Sequence, residues 1–447
     1  MNEEEVNNTE ETEFSEMIES SGIDPAEVQK ELEDLVRSKF GDKVKIVTQP
    51  IGFDPLDPDL NMGKESTAKD SEKQIKESIN LEFNLKPKEV FSYLSEFVIG
   101  QEEAKKTLSI AICDHYNHIK KVQGGESKLE HYYKQNVLML GPTGVGKTYL
   151  IKKLAQLVGV PFVKADATKF TEAGYVGANV DDTIRDLITQ ASGDVELAQY
   201  GIVYIDEADK LAGSRRVAGK DISGRGVQNG MLKLLEDTDI ETSSPFDMMA
   251  QMNSMMAGGK SKKPKTINTK NILFIFSGAF NGLEDIIKKR MNVNTIGLSR
   301  KSKRTAEDNG ENIFSKAITK DLMDFGLEPE LIGRLPVRVH LNDLTEDDLF
   351  KILTQSKESI LYQYQDAFES YGIDLSFEDE ALRSISKLAF SEKTGARSLM
   401  TIIEKILRDY KFEMPSIEIS KLKVSEELVK DSPEFLKKLI LENTRLT

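Results

Sequence analysis

The residues with the clearest chemistry are Gly141, Pro142, Thr143, Gly144, Val145, Gly146, Lys147 and Thr148. They stand between the apolar run NVLML (136–140) and the helical pattern YLIKKLAQLVG. A G-x-x-x-x-G-K-T string in that strand–loop–helix context is a phosphate-binding loop. Gly141, Gly144 and Gly146 let backbone N–H groups wrap phosphates without side-chain clash, and the helix N-terminus adds its dipole. Lys147 is expected to reach the β and γ phosphates of ATP, and the Thr148 hydroxyl to ligate Mg2+. The nucleotide-contacting stretch runs on to Tyr149.

A second constellation follows in GIVYIDEADK (201–210). Its apolar run ends in two carboxylates. Asp206 is suited to hold Mg2+, directly or through water, and Glu207 to polarise an attacking water. Acids also solvate strand ends for no chemical reason; the phosphate loop upstream turns the pair into a hydrolytic site.

Positioning such residues takes a sheet. PFVKA (161–165), GIVYI (201–205), NILFIF (271–276) and PVRVHL (336–341) join NVLML as short apolar runs between helical stretches. Runs of this kind predict a parallel sheet covered on both faces. From residue 345 the chain reads mostly as helices, with a strand near KLKVS (421–425). Upstream, Val90, Phe91, Leu94 and Phe97 mark an amphipathic helix leading into VIGQ (98–101). The spacing also predicts a helix from Asp24-Pro25 to Gly41, a short strand at KVKIVTQPI and a linker over 54–80. The expected organisation is an acidic arm (1–86), a large nucleotide-binding domain (87–338) and a small helical domain (339–447).

Composition excludes several classes. The 447 residues carry a formal charge of −15. Residues 1–34 hold thirteen acids and one base, so the arm accounts for most of it. Phosphate-backbone binding wants clustered Lys and Arg, so nucleic acid is not an expected partner. The one cysteine, Cys113, leaves no internal disulfide and no CxxC zinc knuckle; its setting in LSIAIC predicts burial. No apolar stretch approaches the roughly 18 residues of a membrane span, and the acidic N-terminus lacks secretory features. A reducing cytoplasm is the expected home. His115 and His118 have helical i, i+3 spacing but no third ligand, so no metal site is expected there. No Ser/His/Asp set stands out for peptide cleavage.

VIGQ, GPTGVGKT, TEAGYVGANV (171–180), IDEADK, GLEPELIGRLPV (326–337) and KTGARSL (393–399) occur in the chain. Together they resemble the ClpX family of AAA+ unfoldases, the ATP-binding subunits of Clp proteases, over about residues 87–415. HslU proteins share ATKFTE and GYVG, but no large inserted domain follows the second nucleotide motif here, and KTGARSL is closer to ClpX. The resemblance implies a five-stranded P-loop sheet of order 5-1-4-3-2, a nucleotide between large and small domains, and a homo-hexameric ring. It implies that Val98 and Ile99 contact adenine, that Arg334 is an arginine finger for the neighbour's γ-phosphate, and that Arg397 is a sensor-2 arginine. Ser277 reads either as sensor 1 or as a simple strand-end serine. Gly174-Tyr175-Val176-Gly177 matches the pore loop that grips a polypeptide, with RRVAGKDISGRGVQ (215–228) as a second pore loop carrying Arg215, Arg216, Lys220 and Arg225. Ile296-Gly297-Leu298 stands where a tripeptide, usually Ile-Gly-Phe, docks a ClpP-like peptidase.

This chain departs from the family pattern in lacking the Cys-rich zinc domain and the RKH motif. The insert SSPFDMMAQMNSMMAGGKSKKPK (243–265), with five methionines, reads either as a soft substrate-contact surface or as a disordered loop. The implied function is ATP-driven unfolding of protein substrates and their delivery to a separate peptidase. The alternatives are a stand-alone AAA+ remodeller, a DNA-acting AAA+ ATPase and a nonhydrolysing scaffold. The GYVG loop argues against the second, and intact Lys147, Asp206, Glu207, Arg334 and Arg397 against the third.

Overall fold

A computed structural model of the chain describes residues 83–125, 132–171, 178–212, 224–242, 266–293, 312–417 and 419–444. The features expected of the N-terminal arm before residue 83 lie outside the described residues.

Strands β1 (Val137–Leu140), β2 (Phe162–Asp166), β3 (Ile202–Asp206), β6 (Leu273–Gly278) and β7 (Val337–His340) form one sheet. All of its pairings are parallel, in the order β2-β3-β6-β1-β7. Counted along the sheet's own strands, that is the expected 5-1-4-3-2. The side-chain period of two explains why the runs look uniformly apolar. Val137 and Met139, Ile202 and Tyr204, and Leu273 and Ile275 face one core. Leu138 and Leu140, Val203 and Ile205, and Phe274 and Phe276 face the other.

Helices cover both faces. α1 (Pro87–Phe97), α2 (Glu102–Gln123) and α3 (Lys147–Val158) contribute to the first core. α4 (Asp182–Gln190), α5 (Gly224–Leu235), α6 (Leu283–Val293), α7 (Thr319–Phe325) and α8 (Pro329–Gly333) contribute to the second. α1 starts at Pro87, whose fixed φ suits a first helical position, and the Glu89 carboxylate accepts from the Lys86 backbone N–H at 2.9 Å. Cys113 of α2 is buried, as its apolar setting requires.

The small domain holds α9 (Glu346–Thr354), α10 (Ile360–Glu369), α11 (Asp379–Ser391), α12 (Arg397–Glu413), α13 (Glu426–Lys430) and α14 (Ser432–Thr444). Strand β9 (Lys421–Val424) pairs in parallel with β8 (Asp374–Phe377), a partner that the sequence reading does not anticipate. The first core continues from the sheet through Leu349, Leu353, Leu399 and Ile403 to Leu436, so sheet and small domain share one apolar interior. A two-stranded antiparallel ribbon, β4 (Asp239–Glu241) with β5 (Thr266–Asn268), brackets the methionine-rich insert, which itself lies outside the described residues. Among the described residues no helix is long and apolar enough to cross a membrane.

Candidate nucleotide site

The phosphate loop leaves β1 at its C-terminal end, where the strand order reverses and α/β sheets form their binding crevice. Gly144 (φ +76°) and Gly146 (φ +95°) take the left-handed conformation that glycine alone adopts without strain. Lys147 opens α3, and its Nζ donates to the carbonyls of Gly141 at 2.7 Å and Pro142 at 2.6 Å. Burial lowers its pKa to about 8, Arg397 adds to the lowering, and Asp206 and Asp209 oppose it.

Asp206, at the end of β3, is the centre of a polar cluster. Ser277 Oγ donates to its Oδ1 at 2.8 Å, and the Glu207 N–H donates to the same oxygen at 3.1 Å. Its Oδ2 faces Thr148 Oγ1 at 3.4 Å and Lys164 Nζ at 2.8 Å. Tyr204 OH sits between Ser277 Oγ at 2.6 Å and Thr148 Oγ1 at 3.1 Å. Burial pushes the Asp206 carboxyl up, but the bonds from Lys164 and Ser277 outweigh it and hold the pKa below its ordinary value. The Thr148 hydroxyl and Asp206 carboxylate form an oxygen pair of the kind Mg2+ prefers, so these residues fit the metal. Glu207 is exposed and holds φ 55°, a left-handed conformation uncommon for a residue with a Cβ.

The small domain touches the loop directly. The Ala396 N–H donates to the Gly144 carbonyl at 2.9 Å. A Cβ on Gly144 would meet the Thr394 carbonyl oxygen at 2.1 Å, and one on Gly395 would meet the Gly144 oxygen at 2.6 Å. Arg397 is exposed at the first turn of α12, near enough for its charge to act on Lys147. Glu358 adds a second contact, accepting from Tyr149 OH at 2.9 Å and pairing with Lys153. Val98 is buried in the shared core and Ile99 is half-buried. Gln101 clamps this segment to Asn342 with two reciprocal bonds of 2.8 Å.

Arg334 lies elsewhere. Its carbonyl accepts from Asn136, just before β1, and its guanidinium pairs with Glu236 at 2.9 Å. It lines a cavity of about 550 Å3 with Lys134, Lys270, His115 and His118. That is the N-terminal edge of the strands, the end opposite the phosphate loop. His115 Nε2 bonds the Asn271 carbonyl at 3.0 Å, while His118 stacks on Tyr132. Arg225 sits near the start of α5 in an ion pair with Glu328 at 3.3 Å. Tyr175, Val176, Arg215, Arg216, Lys220, Ile296, Gly297 and Leu298 lie outside the described residues.

Residues 133–338 match the model of the AAA domain (Cdc48 subfamily), and residues 344–421 match that of the C-terminal, D2-small domain, of ClpB protein. The chain is 45% identical over 348 residues to the ATP-dependent Clp protease ATP-binding subunit ClpX of Borrelia duttonii, covering 77% of this chain and 78% of that protein. The chain belongs to the ClpX family. A ClpX of Treponema denticola is 41% identical over 363 residues, covering 80% of this chain and 85% of that one. As a ClpX-family member with an AAA domain, this chain is of a nucleotide-binding ATPase family.

Sequence reasoning misses three parts of this ClpX-type site: Lys164, the Gly144–Gly395 contact and Glu358. Lys164 carries a signal in hindsight, because it lies two residues before Asp166, which is paired in register with Asp206. The other two depend on how the small domain sits against the loop, which no local pattern encodes.

Proposed function

We propose that this chain is an ATP-driven protein unfoldase and translocase that works as a homo-hexamer and passes substrates to a separate ClpP-like peptidase. The observation that carries the reading is the convergence of Lys147, Thr148, Asp206 and Ser277 at one strand edge, with Arg334 at the other. Lys147 holds the β and γ phosphates, Thr148 and Asp206 hold Mg2+ with the nucleotide, and Glu207 takes up the proton of the attacking water. The metal, when bound, neutralises charge on the phosphates. Ser277 keeps the Asp206 carboxylate oriented. Val98 and Ile99 contact adenine, and Tyr149 closes the stretch of chain around the nucleotide.

About five residues of strand separate Asn136, which holds the Arg334 carbonyl, from the loop, roughly 16 Å. Arg334 therefore serves a neighbour's nucleotide rather than its own, which supports a head-to-tail ring. Arg397 relays the state of the nucleotide to the small domain. Tyr175 and Val176 grip the polypeptide in the pore by nonspecific packing, and Ile296-Gly297-Leu298 docks the peptidase. The subunit cuts no peptide bond itself. We divide it into the arm (1–86), a large domain (87–338) and a small domain (339–447), and we assign it to the reducing cytoplasm.

The test is unfolding of a stable, tagged fluorescent protein with ATP, with and without the cognate peptidase. Loss of fluorescence only with ATP, and degradation only when the peptidase is added, is the expected result. Leu298, in place of the usual Phe, favours a second reading as a stand-alone remodeller; unfolding without any peptidase coupling would select it.

A further inference from the structure

Asp206 already carries a cation of the chain's own. Lys164 Nζ is 2.8 Å from Oδ2, the oxygen that faces Thr148 Oγ1 and so the one turned toward the metal position. The other oxygen, Oδ1, accepts from Ser277 Oγ and from the Glu207 N–H. The arrangement follows from the sheet. Lys164 is registered opposite Tyr204 on the neighbouring parallel strand, so the alternation of β2 and β3 puts Lys164, Tyr204 and Asp206 on the face that packs α3.

The two partners differ in freedom. The Lys164 side chain is 44% exposed and that of Asp206 is 18% exposed. The ammonium can withdraw to solvent, whereas the carboxylate is held by Ser277. An ammonium and a dication on one carboxylate oxygen repel each other at that range, so the two occupy it alternately.

We propose that Lys164 is a displaceable counter-ion of Asp206, a positioning residue that sets how much Mg2+ nucleotide binding requires. Without metal, the ammonium keeps the carboxylate satisfied and aimed. Metal-bound nucleotide displaces it, and each displacement breaks an ion pair, which raises the Mg2+ concentration at half-saturation. The inference rests on the reading of Asp206 as the metal carboxylate.

The experiment titrates Mg2+ into the full chain with a fixed concentration of a fluorescent, slowly hydrolysed ATP analogue, and reads binding rather than turnover. Lys164→Met and Lys164→Gln should lower the Mg2+ midpoint about two- to fivefold, in the range expected when a partly exposed ion pair is removed. Lys164→Arg, which keeps the cation, should leave the midpoint near the parent's. Equal midpoints for Lys164→Met, Lys164→Gln and parent would overturn the proposal. So would weaker analogue binding by these variants with and without Mg2+, since Lys164 would then be a phosphate ligand. Asp206→Asn separates the two layers of the argument. If it removes the Mg2+ dependence while Lys164→Met does not shift it, only the counter-ion role falls; if it leaves the dependence intact, the metal reading of Asp206 falls as well.

Discussion

Glu207 occupies a left-handed conformation at φ 55°, directly after the strand that ends in Asp206. A Cβ there costs about 1–2 kcal/mol, and strain of this kind collects at functional sites. Glu207→Gln keeps the shape and removes the base. It should bind ATP like the parent while turnover falls about 10²–10⁴-fold, measured as phosphate release against analogue binding; near-normal turnover would remove Glu207 from the role of base. Lys147 gives a pH prediction. Its burial-lowered pKa of about 8 means that the ammonium is intact below that pH and lost above it. Affinity of the free subunit for ATP should therefore fall as pH rises, about tenfold between pH 7 and pH 9. Equilibrium binding across that range checks it, and a flat profile would contradict it.

At the scale of elements, β1, β3 and β6 are legible because burial on both faces leaves continuous apolar runs, while the edge strands β2 and β7 keep a shorter apolar signal interrupted by Lys164 and Arg338. Lys147, Thr148, Asp206 and Glu207 are legible for a related reason: fixed offsets from a strand end put them in place. Lys164 is not, because its contact with Asp206 crosses between strands far apart in the chain and depends on register. β4, β5 and β8 escape notice because DIE, TIN and DLSF are short and mostly polar, with too few apolar residues to read as strands. The contact of Gly144 with Gly395 is equally hidden, since its two members come from different domains. It makes a sharp prediction. Gly395→Ala adds a Cβ 2.6 Å from the Gly144 oxygen at φ +65°. The variant should lose about 2–3 kcal/mol of stability and bind nucleotide more weakly. Gly193→Ala, at φ +83° with nothing within 4 Å, should cost only the backbone strain, about 1 kcal/mol. Thermal melts of both, with and without nucleotide, would expose an error if the two variants behaved alike.

At the scale of the molecule, Lys147 and Asp206 stand at one end of the strands and Arg334 at the other, and the proposed function makes them two halves of one reaction centre shared between subunits. Mixing Arg334→Ala subunits with Glu207→Gln subunits should restore ATPase that neither has alone. In rings assembled at random from equal amounts, about a quarter of the interfaces join an intact Glu207 to an intact Arg334. No recovery in rings shown to be mixed would count against action across the interface. The peptidase contact can be separated from this. Leu298→Asp should leave ATPase and unfolding unchanged and abolish degradation by the cognate peptidase, because a charge replaces an apolar anchor worth roughly 1.5–3 kcal/mol when buried. Unaltered degradation would assign docking to other residues.

The backbone contact at Gly144 also sets a mechanical scale. α12 begins two residues after Gly395 and runs for 17 residues, about 26 Å of stiff rod. Its first turn rests on the phosphate loop, and near its other end Phe412 stands 78% exposed. A tilt of about 5° at the loop swings that far end by about 2 Å, enough to carry a side chain out of van der Waals contact with whatever it touches. If the chain works as the proposed translocase, the reach of this lever scales with the length of α12, and lengthening α12 by a turn should change the substrate length moved per ATP, read in a single-molecule translocation assay, without altering nucleotide affinity.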